Sequence, residues 1–309
     1  MRKILGVNIS HHCSFAYFEN KILKEFYEEE RFNYIKGYEP EDKEDGNYTY
    51  KYKAIEKFKN INFDVVVISS ADRGHLQIEL PIIKHLLKQI KHKIFYFDIK
   101  KHHIYHALCG FYFSKFDEAI ALTSDGGGER EFKYIFSVLQ AIHLVNKKNV
   151  ETKYKLISNN KHDLFNNFSK VPEEVEKKSN NVDFIITNKS KAGLKYTNYR
   201  QMAGFKCLEE GQLMGIAAYK NKKTNIDKNI LEIAHKAQEE TLQDIIDLVE
   251  KSKKYSDCKN IILSGGYHMN CLNNFKLVKL YPEYNFFVDP IAYDAGTAVG
   301  AAYYYENYL

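Results

Sequence analysis

The chain has 309 residues, 44% of them hydrophobic and 28% charged, with a net charge of +5. That balance excludes a disordered or low-complexity chain and leaves a globular protein of one large domain or two medium ones. The mild basicity permits a nucleic-acid or anionic-metabolite partner without demanding one. Five cysteines, at 13, 109, 207, 258 and 271, form no C-x-x-C pair and read as reduced thiols. No apolar run approaches a signal-peptide core or a membrane span, so a cytoplasmic protein is expected. Heavy use of Lys, Asn, Ile and Tyr fits the coding bias of an AT-rich viral or bacterial genome.

Along the chain, Lys3 to Ser10 reads as a buried strand ending in the polar run Ser10-His11-His12-Cys13-Ser14. FAYFEN and KILKEFYEEERF follow as two strands about a turn at Glu19-Asn20. A strand, a polar loop and a hairpin open the ribonuclease-H-like fold, in which that loop reaches a cleft. His11, His12 and Ser14 are therefore expected to face a site. Residues 28–36 (EEERFNYIK) read as a solvated edge and 37–50 as a loop. Lys51–Asn60 reads as a helix and Asp64–Ser70 as a β-branched buried strand. Leu76–Lys91 is an amphipathic helix with Pro81 near its first turns, and Lys93–Asp98 is another strand.

The next stretch, HHIYHALCGFYFSKFDEAIALTSDGGGE (102–129), carries the chemistry. Its first part reads as a helix and DEAIALTS as a strand. His102 and His106 are four apart and share one helix face, whereas His103 points about 100° away. Asp125 stands where the strand gives way to Gly126, Gly127 and Gly128. Two imidazoles at that spacing with a strand-end carboxylate suit a divalent metal. Asp125 serves equally as an ordinary turn residue. EFKYIFSVLQ then reads as part of a second hairpin. The order predicts an α/β protein of two lobes with a cleft between them, 1–115 and 116–309.

Residues 146–200 are polar and rich in Lys and Asn, and read as a surface helical insertion or a basic face toward the acceptor. In GFKCLEEGQLMGIAAY (204–219) the small residues imply close packing or close approach of backbone to a ligand. Asp227–Lys254 is a long helix with an apolar stripe. Lys259–Ser264 is a strand running into Gly265-Gly266, a phosphate- or nucleotide-approach geometry. Phe286–Asp289 is a strand. Asp294 opens the last helix, as cap or as metal ligand.

Five collinear blocks resemble the NodU/CmcH-type O-carbamoyltransferases: ILGVNISHHCSFAYF with EEERFNYIK, the 102–129 stretch, EGQLMGIAAY, LSGGYHMNCLNN and DPIAYDAGTAVGAA. They span residues 4–302. The resemblance implies a two-lobed actin-like, sugar-kinase-like domain akin to the one that transfers threonylcarbamoyl to tRNA. It implies a cleft metal, iron, held by His102, His106, Asp125 and Asp294. It implies that His11 acts on the acceptor or carbamoyl group, and that Gly265, Gly266 and Asn270 lie along a nucleotide, ATP or carbamoyl-adenylate. Backbone N–H groups at Gly126-Gly127 and Gly265-Gly266 are expected to hold the anion.

Three departures stand out. His11-His12 replaces the family's His-Asp, and Gly211-Gln212 replaces its Gly-Lys. The YrdC-like domain that makes carbamoyl-adenylate is not found within these residues, so a partner supplying activated carbamoyl, or direct use of carbamoyl phosphate, is expected. The expected acceptor is a hydroxyl, with 5-hydroxymethylcytosine in DNA suited to a phage-like setting. A tRNA-modifying threonylcarbamoyl transferase and a non-catalytic nucleotide-binding module are the alternatives.

Overall fold

In the computed structural model, residues 1–40, 51–71, 76–131, 136–159, 174–220 and 222–309 are described. The first sheet grows from β1 (Lys3–Asn8), buried from Ile4 onward. β2 (Ser14–Glu19) and β3 (Ile22–Glu28) add antiparallel. Their turn is Asn20-Lys21, both left-handed, as a two-residue hairpin needs. A short α1 (Glu30–Asn33) follows. β4 (Phe63–Ser69) then runs parallel to β1. α2 (Leu76–Leu87) leads to β5 (His92–Phe97), parallel to β4. The strand order is β3-β2-β1-β4-β5.

α3 (His102–Ser114) crosses to the second sheet, which starts with β6 (Glu118–Ser124). β7 (Arg130–Glu131) pairs with β8 (Phe136–Asn146), which lies antiparallel to β6 and to β9 (Val150–Asn159). β10 (Glu174–Ser179) and β11 (Val182–Thr187) extend that edge. Three helices follow: α4 (Ala192–Met202), α5 (Glu210–Ile216) and α6 (Lys228–Ser252). α6 is capped by Asp227, which accepts from the N–H groups of Asn229 and Ile230. β12 (Asn260–Ser264), α7 (Cys271–Leu280) and β13 (Asn285–Val288) complete the sheet, and α8 (Thr297–Tyr308) closes the chain. The run β9-β8-β6-β12-β13 repeats the first sheet's pattern of two antiparallel then two parallel pairings.

One core cluster joins the two sheets. It brings together Ile104, Tyr105, Leu108 and Phe111 of α3 with Ala298, Val299, Ala301 and Ala302 of α8. Ile4, Val65 and Val67 on one side and Ala119, Ala121 and Ile262 on the other flank them. The small residues of α8 are what permit this. A Cβ on Gly300 would overlap the backbone carbonyl of Tyr105, and one on Gly6 would overlap that of Ala298. α8 thus returns the end of the sequence to β1, β2 and β4.

Several expectations need correction. Lys51–Asn60 holds only a 3-10 turn, Ala54–Phe58, which buries Ala54, Ile55 and Phe58. The segment at 28–36 is not simply a solvated edge. Glu29 is fully buried and accepts from the backbone N–H groups of Lys53 (2.8 Å) and Ala54 (2.9 Å). Glu30 accepts from that of Gly37 (2.7 Å). Residues 150–159 and 174–187 are not a helical insertion: β9 and β11 are strands of the second sheet, with Tyr154, Leu156, Ile157 and Ile186 buried. Residues 160–173 of that stretch lie outside the described residues, as do 41–50 of the expected loop. Among the described residues, no helix is long and apolar enough to cross a membrane.

Candidate metal centre and cleft

The helical spacing of His102 and His106 turns both Nε2 atoms to one point, 3.1 Å apart. Asp125, at the end of β6, brings Oδ2 to 3.2 Å from His102 Nε2 and 3.4 Å from His106 Nε2. Asp294, just before α8, brings Oδ1 to 3.8 and 3.6 Å from the same atoms. All four residues are buried, and one ligand atom from each lies within 4.8 Å of the others. α3, β6 and the turn before α8 are thus drawn to a common centre.

The electrostatics of this group favour a cation. Burial opposes the charged imidazole of His106, yet hydrogen bonds to Asp125 and Asp294 outweigh it and raise its pKa to about 10. Burial likewise opposes the Asp125 carboxylate, but hydrogen bonds from His102 and His106 hold it well below the usual range. For Asp294, burial is overcome chiefly by the charge of His11, and its pKa falls to about 2. The donor set of two imidazoles and two carboxylates fits a divalent first-row ion.

Asp294 has a second contact. Its Oδ2 is 3.2 Å from His11 Nε2. The Ser10 hydroxyl donates to Asn8 Oδ1 (2.6 Å), with Asp294 Oδ2 at 3.3 Å on its other side. Buried Asn8 shapes the loop by donating to the carbonyls of His11 (3.0 Å) and His12 (3.2 Å), and His12 takes a left-handed backbone, φ 57°. His12 packs edge-on against Tyr293, and burial, then the charge of His11, lower its pKa. Ser14 is turned elsewhere: its hydroxyl donates to the carbonyl of Ala295 (2.8 Å).

These groups floor a cleft of about 430 Å³, lined among others by His11, His12, Lys36, Asp125, Gly126, Tyr196, Gln212, Gly266 and Asp294. The two glycine segments meet there. Gly265 has φ +93°, and a Cβ on it would overlap Ser124. The N–H groups of Gly126 (2.8 Å) and Gly266 (3.3 Å) both donate to Asp125 Oδ1, so they orient a carboxylate of the site itself. Asn270 does not reach the cleft. It is buried, exchanges two side-chain hydrogen bonds with Gln238 (2.6 and 2.9 Å) and caps α7 through Asn273 N–H. In the GIAA run, a Cβ on Gly215 would meet nothing within 4 Å among the described residues, so close packing is not the reason for that glycine.

His103 turns onto Glu129, a residue the sequence reading left without a role. His103 Nδ1 is 2.6 Å from Glu129 Oε2, and Lys155 Nζ is 3.0 Å from Glu129 Oε1. The only sequence signal was a carboxylate directly after three glycines. Lys155 was hidden in the Lys-rich stretch. Lys36, on the cleft wall, sits in the acidic run whose charges masked it.

Against known proteins, a family model described as "Carbamoyltransferase N-terminus" matches residues 46–303. Among solved structures, the chain is similar to full-length HypF in its phosphate- and nucleotide-bound form, with a TM-score of 0.55 and 11% identity over 99% of this chain and 55% of that one. It is similar to T. kodakarensis HypF, with a TM-score of 0.52 and 11% identity over 99% of this chain and 48% of the other. A ROK family glucokinase from Streptomyces griseus in complex with glucose and AMPPNP gives 0.52 at 10% identity, over 97% of this chain and 98% of that one. The chain spans about half the length of the HypF chains. At such identities the likeness concerns the fold, and it is the two-lobed α/β architecture of actin-like ATPases and sugar kinases that the sequence led one to expect. No curated protein matches.

Proposed function

The chain belongs to the carbamoyltransferase N-terminus family, and on that premise we propose that it moves a carbamoyl group from carbamoyl phosphate to an acceptor hydroxyl. The observation that carries the reading is the convergence of His102, His106, Asp125 and Asp294 beneath a cleft walled by His11. These four residues would hold a divalent ion, with iron as the ion proposed. When bound, it supplies Lewis acidity toward the carbamoyl carbonyl or its phosphate leaving group.

His11 is the proposed general base. Its Nε2 faces Asp294 Oδ2 at 3.2 Å. A hydrogen bond there fixes the tautomer with the proton on Nε2 and leaves Nδ1 to accept the acceptor's proton. The acceptor oxygen then bonds to the carbamoyl carbon as the carbon–oxygen bond to phosphate breaks. Lys36, the lysine on the cleft wall, supplies positive charge for the departing anion where Gln212 offers none. With ATP, the same cleft would take carbamoyl-adenylate, made here or delivered by a partner, and the leaving group becomes the nucleotide phosphate.

For the acceptor we propose the hydroxymethyl group of 5-hydroxymethylcytosine in DNA, for which the net charge of +5 speaks. The test is incubation of the purified protein with ferrous ion and labelled carbamoyl phosphate, with and without ATP. Hydroxymethylated duplex DNA and a panel of small sugars serve as acceptors, read by mass. Carbamoyl gain on sugars alone overturns the DNA acceptor. No gain on any acceptor overturns transfer.

A further inference from the structure

Behind the ligand helix lies an ionisable cluster that the proposed reaction does not use. Glu129, fully buried, follows the glycine turn. Its Oε2 accepts the backbone N–H of His103 (3.1 Å) and faces His103 Nδ1 (2.6 Å). Its Oε1 pairs with Lys155 Nζ at 3.0 Å, and Lys155 also reaches Glu131 Oε1 at 2.7 Å. A buried carboxylate is costly unless partnered. Here burial is outweighed first by Lys155 and then by His103, so the Glu129 carboxyl lies well below the usual range.

The contact with His103 is a helix cap made from a distance. α3 starts at His102, and its N-cap residue Lys101 makes no side-chain cap bond. The first-turn N–H groups of a helix lack partners within it, and a carboxylate there also complements the helix dipole. One oxygen of Glu129 takes both the backbone and the ring of His103, which fixes the height and the rotation of α3 together. Rotation matters most for the ligands. With side chains at ~5–6 Å from the axis, a turn of ~10° moves a ring nitrogen by ~1 Å, far beyond the ~0.2 Å tolerance of a metal bond. The preceding residue tightens the fit: a Cβ on Gly128 would stand 2.7 Å from His103 Nδ1 and 2.8 Å from His102 Cδ2.

We propose that Glu129 is a positioning residue of the metal centre: it caps α3 at His103, with Lys155 as counter-charge, and sets the rotation at which His102 and His106 meet Asp125 and Asp294. This rests on the metal reading given above, and the test separates the two. The whole chain is titrated with cobalt(II) as the probe, following its visible absorption, and melted with and without the ion. Glu129→Gln should lower cobalt affinity by about tenfold or more, because a turn of the helix displaces both ring nitrogens beyond the ~0.2 Å tolerance of a metal bond, and shrink the rise in Tm that cobalt gives. Gly128→Ala, which alters no charge, should do the same by pressing on the His102 and His103 rings, and decides the matter if the Gln variant does not fold. Asp125→Asn should abolish binding. If Glu129→Gln and Gly128→Ala bind cobalt within twofold of the parent while Asp125→Asn does not bind, the positioning role is wrong and the metal reading stands. If the parent itself does not bind cobalt, both fall.

Discussion

Gly300→Ala is a sharp probe of how the ligand helix is held, because two effects of the change have opposite signs. In the middle of an exposed helix, Ala in place of Gly stabilises by about 1 kcal/mol. Gly300 instead faces α3. A Cβ there would stand 2.6 Å from the carbonyl carbon and 2.8 Å from the Cα of Tyr105, where carbons at rest keep ~3.5–4.0 Å. These are backbone atoms, so no rotamer change relieves the clash, and α3 and α8 must part by about 1 Å. Overpacking of this kind costs ~1–3 kcal/mol, which leaves a net loss of up to about 2 kcal/mol. Tyr105 lies between His102 and His106, so the same shift should also weaken cobalt binding. Equilibrium urea unfolding gives the first quantity and cobalt titration the second. Gly215→Ala is the control: among the described residues nothing lies within 4 Å of a Cβ there, so propensity alone should act and stabilise. If Gly300→Ala stabilises as Gly215→Ala does, with cobalt binding unchanged, the close α3–α8 contact does not hold the site.

Other outcomes follow from the same geometry. His11→Ala should abolish carbamoyl transfer while cobalt affinity stays within about threefold, since His11 contacts Asp294 but is not among the four converging ligands; full activity of this variant would remove it as the base. Asp294→Asn keeps the shape but loses the charge that serves both His11 and the ligand histidines, so both cobalt affinity and transfer should fall by tenfold or more in titration and product assays. His143 is fully buried, and burial, then the nearby His103, lower its pKa to about 3. Because the folded pKa is the depressed one, its share of stability is present above the unfolded value of ~6.5 and is lost as pH falls toward 3, at up to ~1.4 kcal/mol per pH unit. His143→Gln should flatten that acid limb in melts across pH 3 to 7.

The parts of the fold legible in the sequence are those where one short-range signal dominates. DVVVISS could only be a buried strand, and the apolar stripe over 227–254 could only be a helix, though its cap at Asp227 emerges from the structure alone. HxxxH declared its face by spacing alone. What stayed hidden depends on partners far away in the chain. Lys155 sits in a strand whose lysines suggest a wet surface, yet Glu129 and Glu131 neutralise it inside. Glu29 reads as one charge among several, yet the N–H groups of Lys53 and Ala54 bury it. A better reading of 174–187 was available: Asn180-Asn181, both left-handed, is a two-residue hairpin turn between two strand-like runs. For Asn270 the pattern pointed toward a ligand, while Gln238 on α6 had already claimed its amide.

The two sides of the ligand set arrive at very different times during synthesis. α3 and β6, with His102, His106 and Asp125, are made early, whereas Asp294 follows the whole second sheet and waits on the seating of α8. A nascent chain halted before that point presents two imidazoles and one carboxylate, and without α8 the faces of α3 and β1 that pack on it are bare. On the metal reading proposed above, ion capture would be a late event, tied to contacts of great sequence separation, which are slow to form. An ion bound only by the finished fold stabilises that fold by mass action, so on the proposed metal reading loading in the cell would become a readout of completed folding.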